Sequence, residues 1–206
     1  LAVGKWHLGA HESLRPLNRG FDEFFGFLTG GHQYFPEQWN LADETEVKCN
    51  FCAYRTKLLR NEERIDEKEY LTDALSRETV SFIQRSSNSP FFIYLAYNAP
   101  HGPLQATEKY LKRYPHIKDK RRKTYAAMVS SIDDGVGDIV SALKENNIYD
   151  NTIIYFLSDN GGAKSNASNN SPLNSHKGTL YEGGIRIPFV MQWPDEIEGG
   201  TIFTKP

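Results

Sequence analysis

The sequence predicts an α/β domain, because two short apolar runs each follow a longer segment with the periodicity of a helix. The apolar runs span 91–97 and 153–157, and the helical segments span 69–85 and 120–146. A strand predicted at 91–97 is therefore joined through a helix to one at 153–157. This order of elements favours a sheet whose faces are covered by helices.

Both helices are predicted from apolar residues that recur on one face. Polar residues and Pro90 end the first helix. Its apolar face carries Leu71, Ala74, Leu75, Phe82 and Ile83. The second helix has a longer apolar stripe of the same period, formed by Tyr125, Met128, Val129, Ile132, Val136, Ile139, Val140 and Leu143.

The strands are predicted from short apolar runs that are bounded by turn residues. The run at 153–157 is too short for an ordinary helix and predicts a strand that is buried on both faces. Residues 187–191 predict a further strand, and 54–64 predict a hairpin that turns at 60–63. We expect residues 20–50 to form a long irregular excursion, and the glycines of 175–186 to exclude a stable helix.

Composition narrows the functional classes. The 206 residues suffice for one α/β core, and a formal charge of −2 gives no electrostatic sign of nucleic-acid binding. No run of 18 apolar residues is present, so no membrane span is expected in this chain. Cys49 and Cys52 lack two further ligands for zinc, which leaves a small loop disulfide or two free thiols as the alternatives.

Candidate functional residues follow the predicted strands. Asp159 and Asn160 follow the run at 153–157 and are oxygen donors of the kind that calcium and magnesium take. Lys5 and His7 follow apolar residues at the start of the chain, and His101 lies between two prolines after 91–97. Loops at the carboxyl ends of strands in α/β sheets carry the chemistry, so we expect these residues to converge. The plainer alternative for Asp159 and Asn160 is an Asx-type turn.

Lys177, beside His176, supplies a further cation close in sequence to the proposed metal ligands. A divalent ion with lysines and histidines suits a tetrahedral oxyanion, because the ion polarises its oxygens and the lysines stabilise developing charge. A histidine can protonate a leaving alcohol, since its pKa lies near neutrality. This set predicts a hydrolase of sulfate or phosphate esters and does not choose between them.

Four segments resemble the motifs of the formylglycine-dependent type I sulfatases, in the same order and spacing. They are GKWHLG at 4–9, APH at 99–101, SDNGG at 158–162 and KGTLYEGGIR at 177–186. The resemblance covers nearly the whole chain and points to the arylsulfatase and N-acetylgalactosamine-sulfatase branch. It implies an α/β fold like that of alkaline phosphatase, with a large mixed sheet flanked by helices.

The resemblance also implies a role for each matching residue. Lys5, His101 and Lys177 would bind the sulfate, His101 would be a candidate proton donor, and His7 would hold the hydroxyl of the formylglycine hydrate. His176 receives no role. The implied catalytic residues are Lys5, His7, His101 and Lys177, and the implied ligands of Ca²⁺, with Mg²⁺ as the alternative, are Asp159 and Asn160.

One family motif has no counterpart in these residues. The family's nucleophile is a formylglycine made within Cys-x-Pro-x-Arg, and neither this motif nor the family's further aspartate ligands occur among the 206 residues. We therefore interpret 1–206 as the central part of a sulfatase catalytic domain, incomplete at both ends, and expect it to be inactive alone. The complete protein is expected to release sulfate from a sulfated sugar or an aryl sulfate.

Two alternatives stay open, namely a metal-dependent phosphoester hydrolase of the same superfamily and a non-catalytic sulfated-glycan-binding protein. The aromatic residues of 32–39, in particular Tyr34 and Trp39, are hypothesised to contact a sugar. Family members are mostly exported or lysosomal, so the resemblance implies a periplasmic, extracellular or lysosomal location.

Overall fold

The computed structural model describes residues 1–204, in which five strands form one mixed sheet. The strands are β1 (Ala2–Lys5), β2 (Phe24–Phe27), β3 (Leu58–Arg60), β4 (Glu63–Ile65) and β5 (Tyr94–Ala96). Their order is β4-β3-β2-β1-β5, with β1 parallel to β2 and β5, and β3 antiparallel to β2 and β4. The carboxyl ends of β1 and β5 therefore lie at the same edge of the sheet.

Two long helices, α1 (Leu71–Ser86) and α3 (Lys120–Glu145), lie on one face of this sheet. Two further helices of one turn each are α2 (Glu108–Leu111) and α4 (Glu182–Ile185). Helix α1 packs on β1 and β2, and α3 packs on α1. Close approach of the two long helices depends on Gly135, because a Cβ there would lie 2.5 Å from the Tyr97 hydroxyl and would overlap Ser76. The predicted bounds of α1 and α3 are confirmed to within two residues.

The opposite face of the sheet packs on irregular chain. Trp6, Phe24 and Leu59 are buried there, and Leu17 and Phe21 pack against them from the segment that follows β1. This segment forms two 3-10 turns, Glu12–Leu14 and Pro16–Arg19. The sheet is thus flanked by helices on one side and by a short coiled segment on the other.

The strand predicted at 153–157 belongs to a second, smaller sheet. β6 (Ile154–Leu157) pairs antiparallel with β7 (Phe189–Gln192), which confirms both strands. The predicted burial on both faces is wrong, because Tyr155 is 54% exposed and Leu157 is 51% exposed. Only Ile154 of this strand packs against the hydrophobic cluster around Ile83. An apolar run predicts a strand, but its burial depends on which elements are present to cover it.

Two further expectations are wrong in detail. The segment 20–50 is not wholly irregular, because it contains β2, all of whose residues are buried. Its Gly26 is opposite Gly4, and a Cβ on Gly26 would overlap the Gly4 carbonyl. This glycine therefore allows close pairing of β1 and β2 and does not mark a turn. The glycines of 175–186 do not exclude a helix, since α4 contains Gly183 and Gly184 in tight backbone contacts that only glycine fits. The hairpin of β3 and β4 is confirmed.

Candidate functional site

The end of β1 presents two basic side chains. Lys5 is the last residue of the strand and is half-buried, and His7 is exposed with a φ of 54°. The His7 N–H donates to the Leu28 carbonyl at 3.2 Å, which holds the turn against the end of β2. The His7 ring lies directly on Gly30, where a Cβ would be 2.6 Å from Nε2. The turn is therefore positioned by the sheet and by a glycine.

His101 lies in the loop that follows β5. Its backbone N–H donates to the Asn98 carbonyl at 2.8 Å, and its Nδ1 is 2.8 Å from the Gly102 carbonyl. A carbonyl can only accept, so Nδ1 carries the hydrogen and Nε2 is the acceptor of the neutral ring. The Tyr34 hydroxyl donates to the His101 carbonyl at 2.7 Å. The histidine is thus held by the core through its backbone.

Asp159 and Asn160 follow β6, as predicted, with Asp159 exposed and Asn160 half-buried. Asn160 donates from Nδ2 to the Gly161 carbonyl at 3.0 Å, which leaves its Oδ1 for an incoming ligand. The Gly161 N–H donates to Gly184 at 2.9 Å. The turn after β6 is therefore fixed by backbone contacts with α4.

Lys177 is tied to the same turn. Its N–H donates to the Gly162 carbonyl at 3.1 Å. Asn170 reinforces the junction, because its Oδ1 accepts the Gly162 N–H and its Nδ2 donates to the Gly162 carbonyl, both at 2.8 Å. Asn170 was not singled out by the sequence, since an amide in a loop of small polar residues carries no distinguishing pattern. Its contacts fix Lys177 relative to Asp159 and Asn160.

The charges from these separate loops are close enough to act on one another. Burial lowers the pKa of Lys5, the carboxylate of Asp159 raises it, and Lys177 lowers it. Burial also lowers the pKa of His101, with Lys5 and Lys177 acting in the same direction and Asp159 opposing them. The pKa of His7 is lowered by burial, by Lys5 and by Lys177. The structure therefore brings together the lysines, His7, His101 and Asp159 from four loops.

The donor set at Asp159 and Asn160 matches a hard cation, because both side chains present oxygen. A calcium ion takes six to eight oxygens, so these two residues would be part of a larger set. Within residues 1–204, no three or more His, Cys, Asp and Glu side chains form a group suited to a metal. The residues described here thus fit a cation without completing its ligand shell.

The hypothesis that Tyr34 and Trp39 contact a sugar is wrong. Tyr34 is completely buried and Trp39 is 6% exposed, and the Trp39 indole N–H donates to the Gln33 carbonyl at 3.0 Å. His32, beside them, is also fully buried. These rings form part of the core beneath the site, because the loop folds inward over the sheet.

The two cysteines form a disulfide, which decides between the two alternatives that the sequence leaves open. His176 has its Nδ1 2.9 Å from the Lys177 carbonyl, and its own carbonyl accepts from Thr179 at 2.7 Å. These contacts fix the His176 ring and backbone beside Lys177, which is a structural role. Among the described residues, no helix has the length and apolar character needed to cross a membrane.

Comparison with known sequences identifies close relationships over almost the whole chain. Residues 1–202 match the sequence model of the family described as Sulfatase. The chain is 38% identical to arylsulfatase J of Mus musculus and 36% identical to N-acetylgalactosamine-6-sulfatase of Mus musculus, in each case over 97% of its length. The matches cover 33% and 38% of those proteins, so the chain spans about a third of their length.

Two solved structures are also similar to this chain over almost its whole length. The crystal structure of Ps i-CgsB in complex with k-i-k-neocarrahexaose has a TM-score of 0.91 and 50% identity, over 97% of this chain and 45% of that chain. The PsFucS1 sulfatase from Pseudoalteromonas sp. has a TM-score of 0.72 and 28% identity, over 97% and 43% of the two chains.

Proposed function

This chain belongs to the sulfatase family, and on that basis we propose that the complete protein hydrolyses sulfate esters of a carbohydrate. The observation that supports the proposal most is that the charges of Asp159 and Lys177 act on the pKa of both Lys5 and His101. Cations gathered from separate loops suit a compact oxyanion such as sulfate or phosphate. Family membership then favours sulfate over phosphate.

In this proposal Lys5 and Lys177 bind the sulfate oxygens and stabilise the negative charge that builds up on them. His101, when protonated at Nε2, gives a proton to the leaving oxygen. Its lowered pKa makes the protonated ring a stronger acid and also a smaller fraction of the rings at neutral pH. His7 positions the attacking group at the end of β1. Asp159 and Asn160 would hold a hard divalent cation, Ca²⁺ by our proposal, which supplies Lewis-acid polarisation of the sulfate oxygens when bound.

The substrate we propose is a sulfated carbohydrate, with an aryl sulfate as a small analogue. Support comes from Ps i-CgsB, which is 50% identical and whose crystal structure contains a neocarrahexaose. We also propose an exported or lysosomal location. The Cys49–Cys52 disulfide supports it, because such bonds persist mainly in oxidising compartments. Fractionation of the producing cells tests the location directly.

The activity is tested with the complete protein on 4-nitrophenyl sulfate, 4-nitrophenyl phosphate and neocarrahexaose, with sulfate release as the measurement. We expect Lys177→Ala to lower kcat/KM for sulfate release by about 10²-fold or more, because a preorganised charge at the reacting oxygens is lost. Lys144→Ala is the matched control, since Lys144 lies in the last turn of α3, at the other end of β6. It should change kcat/KM by less than about twofold.

Other outcomes favour the alternatives. Faster release of phosphate than of sulfate would indicate a phosphoester hydrolase of the same superfamily. Binding of neocarrahexaose without any sulfate release would indicate a glycan-binding protein that uses the same anion pocket.

A further inference from the structure

The loop closed by the Cys49–Cys52 disulfide displays an aromatic side chain to solvent. Phe51 is 72% exposed and has a φ of 65°, in the left-handed region that side chains with a Cβ rarely adopt. The cost of this conformation and the exposure of a large apolar ring both disfavour Phe51 for folding alone. The disulfide and the N–H of Cys52, which donates to the Cys49 carbonyl at 3.2 Å, hold the loop in this form.

Phe51 packs against a second aromatic residue, Tyr54. Its ring centroid is 5.4 Å from that of Tyr54, with 66° between the ring planes, so the two rings form an open corner. The Tyr54 N–H donates to the Phe51 carbonyl at 3.0 Å, and the Tyr54 carbonyl accepts the Gln33 N–H at 2.9 Å. The corner is therefore anchored to the chain beneath the site.

The corner adjoins the candidate site through a pair of glycines. A Cβ on Gly31 would lie 2.8 Å from two ring carbons of Tyr54, and a Cβ on Gly30 would lie 2.6 Å from His7 Nε2. Consecutive Cα atoms are about 3.8 Å apart. The Tyr54 ring and the His7 ring thus pack against two consecutive glycines, which places the corner beside the candidate site.

We propose that Phe51 and Tyr54 form a subsite for a sugar ring next to the sulfated one, with Phe51 stacking on its apolar face. This inference rests on the proposed sulfatase function and extends it to the length of the substrate. Aromatic rings supply a flat apolar surface with little conformational entropy to lose, which suits the carbon-bound hydrogens of a pyranose. An aryl sulfate ends at the first ring and does not reach this subsite.

The test compares kinetics of the complete protein on neocarrahexaose and on an oligosaccharide of N-acetylgalactosamine 6-sulfate with kinetics on 4-nitrophenyl sulfate. We expect Phe51→Ala to raise KM for whichever oligosaccharide is hydrolysed by about five- to tenfold, with kcat unchanged. KM for 4-nitrophenyl sulfate should change by less than about twofold. Phe51→Trp should keep the KM of the unmodified protein, because it preserves a stacking surface.

Phe92→Ala is the matched control, since Phe92 is 69% exposed but precedes β5 at the opposite edge of the sheet. It should leave KM for the oligosaccharide unchanged. An unchanged KM in Phe51→Ala, or an equal rise for oligosaccharide and aryl sulfate, would overturn the subsite while leaving the sulfatase function in place. A complete protein that releases no sulfate from any of the three substrates would overturn the proposed function itself.

Discussion

One residue, Tyr34, connects the buried core to the candidate site. It is completely buried, its ring stacks on Tyr70 at 5.7 Å, and its hydroxyl donates to the His101 carbonyl at 2.7 Å. A buried hydrogen bond of this kind contributes about 1 kcal/mol. Its effect reaches the site because it sets the backbone from which the His101 ring extends.

We expect Tyr34→Phe to lower kcat for sulfate release about fivefold, since about 1 kcal/mol of positioning is lost at His101. Tyr70→Phe is the control, because it removes a comparable hydrogen bond, from Tyr70 to the Gln105 carbonyl at 2.8 Å, which does not hold His101. Steady-state kinetics of both variants check this. An equal fall of kcat in the two variants would contradict a specific role for Tyr34.

His32 makes the stability of the fold sensitive to pH. Burial lowers its pKa from 6.5 to about 4, although its ring nitrogens lie 2.9 Å and 2.8 Å from the Gln33 and Thr56 carbonyls. Because the unfolded chain then binds more protons between pH 6.5 and 4, the free energy of unfolding should fall as the pH decreases through this window. The full effect of this one group is about 3 kcal/mol.

Urea unfolding at pH 7 and pH 4.5 measures this dependence. His32→Gln, which stays neutral and keeps a donor, should be less stable at pH 7 but should lose less stability on acidification. The same pH dependence in both proteins would assign the effect to other groups.

At the scale of elements, the centre of the sheet depends on glycine at position 4. Gly4 pairs with Gly26 of β2 and Ala96 of β5, its φ is 95°, and a Cβ would overlap the Ala96 carbonyl. Gly20 has nearly the same φ, 94°, but nothing lies within 4 Å of a Cβ built on it. The two positions therefore share a positive φ and differ in the available space.

We expect Gly20→Ala to lower the free energy of unfolding by about 1 kcal/mol, from the left-handed backbone alone. Gly4→Ala should lower it by about 3 kcal/mol or more, because the overlap with β5 adds to the cost of a positive φ. Chemical denaturation of both variants tests the difference. Equal losses would mean that β5 moves aside without cost.

The sequence predicts best those elements whose own apolar pattern identifies them without knowledge of their neighbours. Helices α1 and α3 carry a long stripe of period 3.6, and their bounds agree to within two residues. The sequence does not predict strand β2, because Phe-Phe-Gly-Phe has no alternation and its glycine is also typical of a turn. The exposure of Tyr155 and the burial of Trp39 could not be predicted, since each depends on tertiary neighbours.

At the scale of the whole molecule, the candidate site forms where loops from separate elements meet. The strand-end rule for α/β sheets predicts that Lys5, His101 and Asp159 approach one another, and the charge of Asp159 does act on the pKa of Lys5 and of His101. The rule could not identify Asn170, whose contacts with Gly162 exist only after the loop has folded. The order of the strands brings the charged side chains together, whereas contacts such as those of Asn170 depend on how each loop packs.

The proposed need for a cation at Asp159 can be tested in the complete protein. Among residues 1–204, Asp159 is the one carboxylate that acts on the pKa of both Lys5 and His101. We expect chelation with EGTA to lower sulfate release strongly and added Ca²⁺ to restore it, with Mg²⁺ less effective because it demands stricter octahedral geometry. A charged oxygen ligand contributes most to binding a hard cation, so Asp159→Ala should raise the Ca²⁺ concentration for half-maximal activity by on the order of tenfold to a hundredfold.

Asp150→Ala is the matched control, because Asp150 is an exposed carboxylate just before β6, at the end of the strand opposite Asp159. It should leave the calcium dependence unchanged. Calcium titrations of activity in the three proteins separate the outcomes, since loss of a cation ligand shifts the titration midpoint, whereas general damage to the fold lowers the plateau. A midpoint that stays the same in Asp159→Ala would remove this residue from the ligand set.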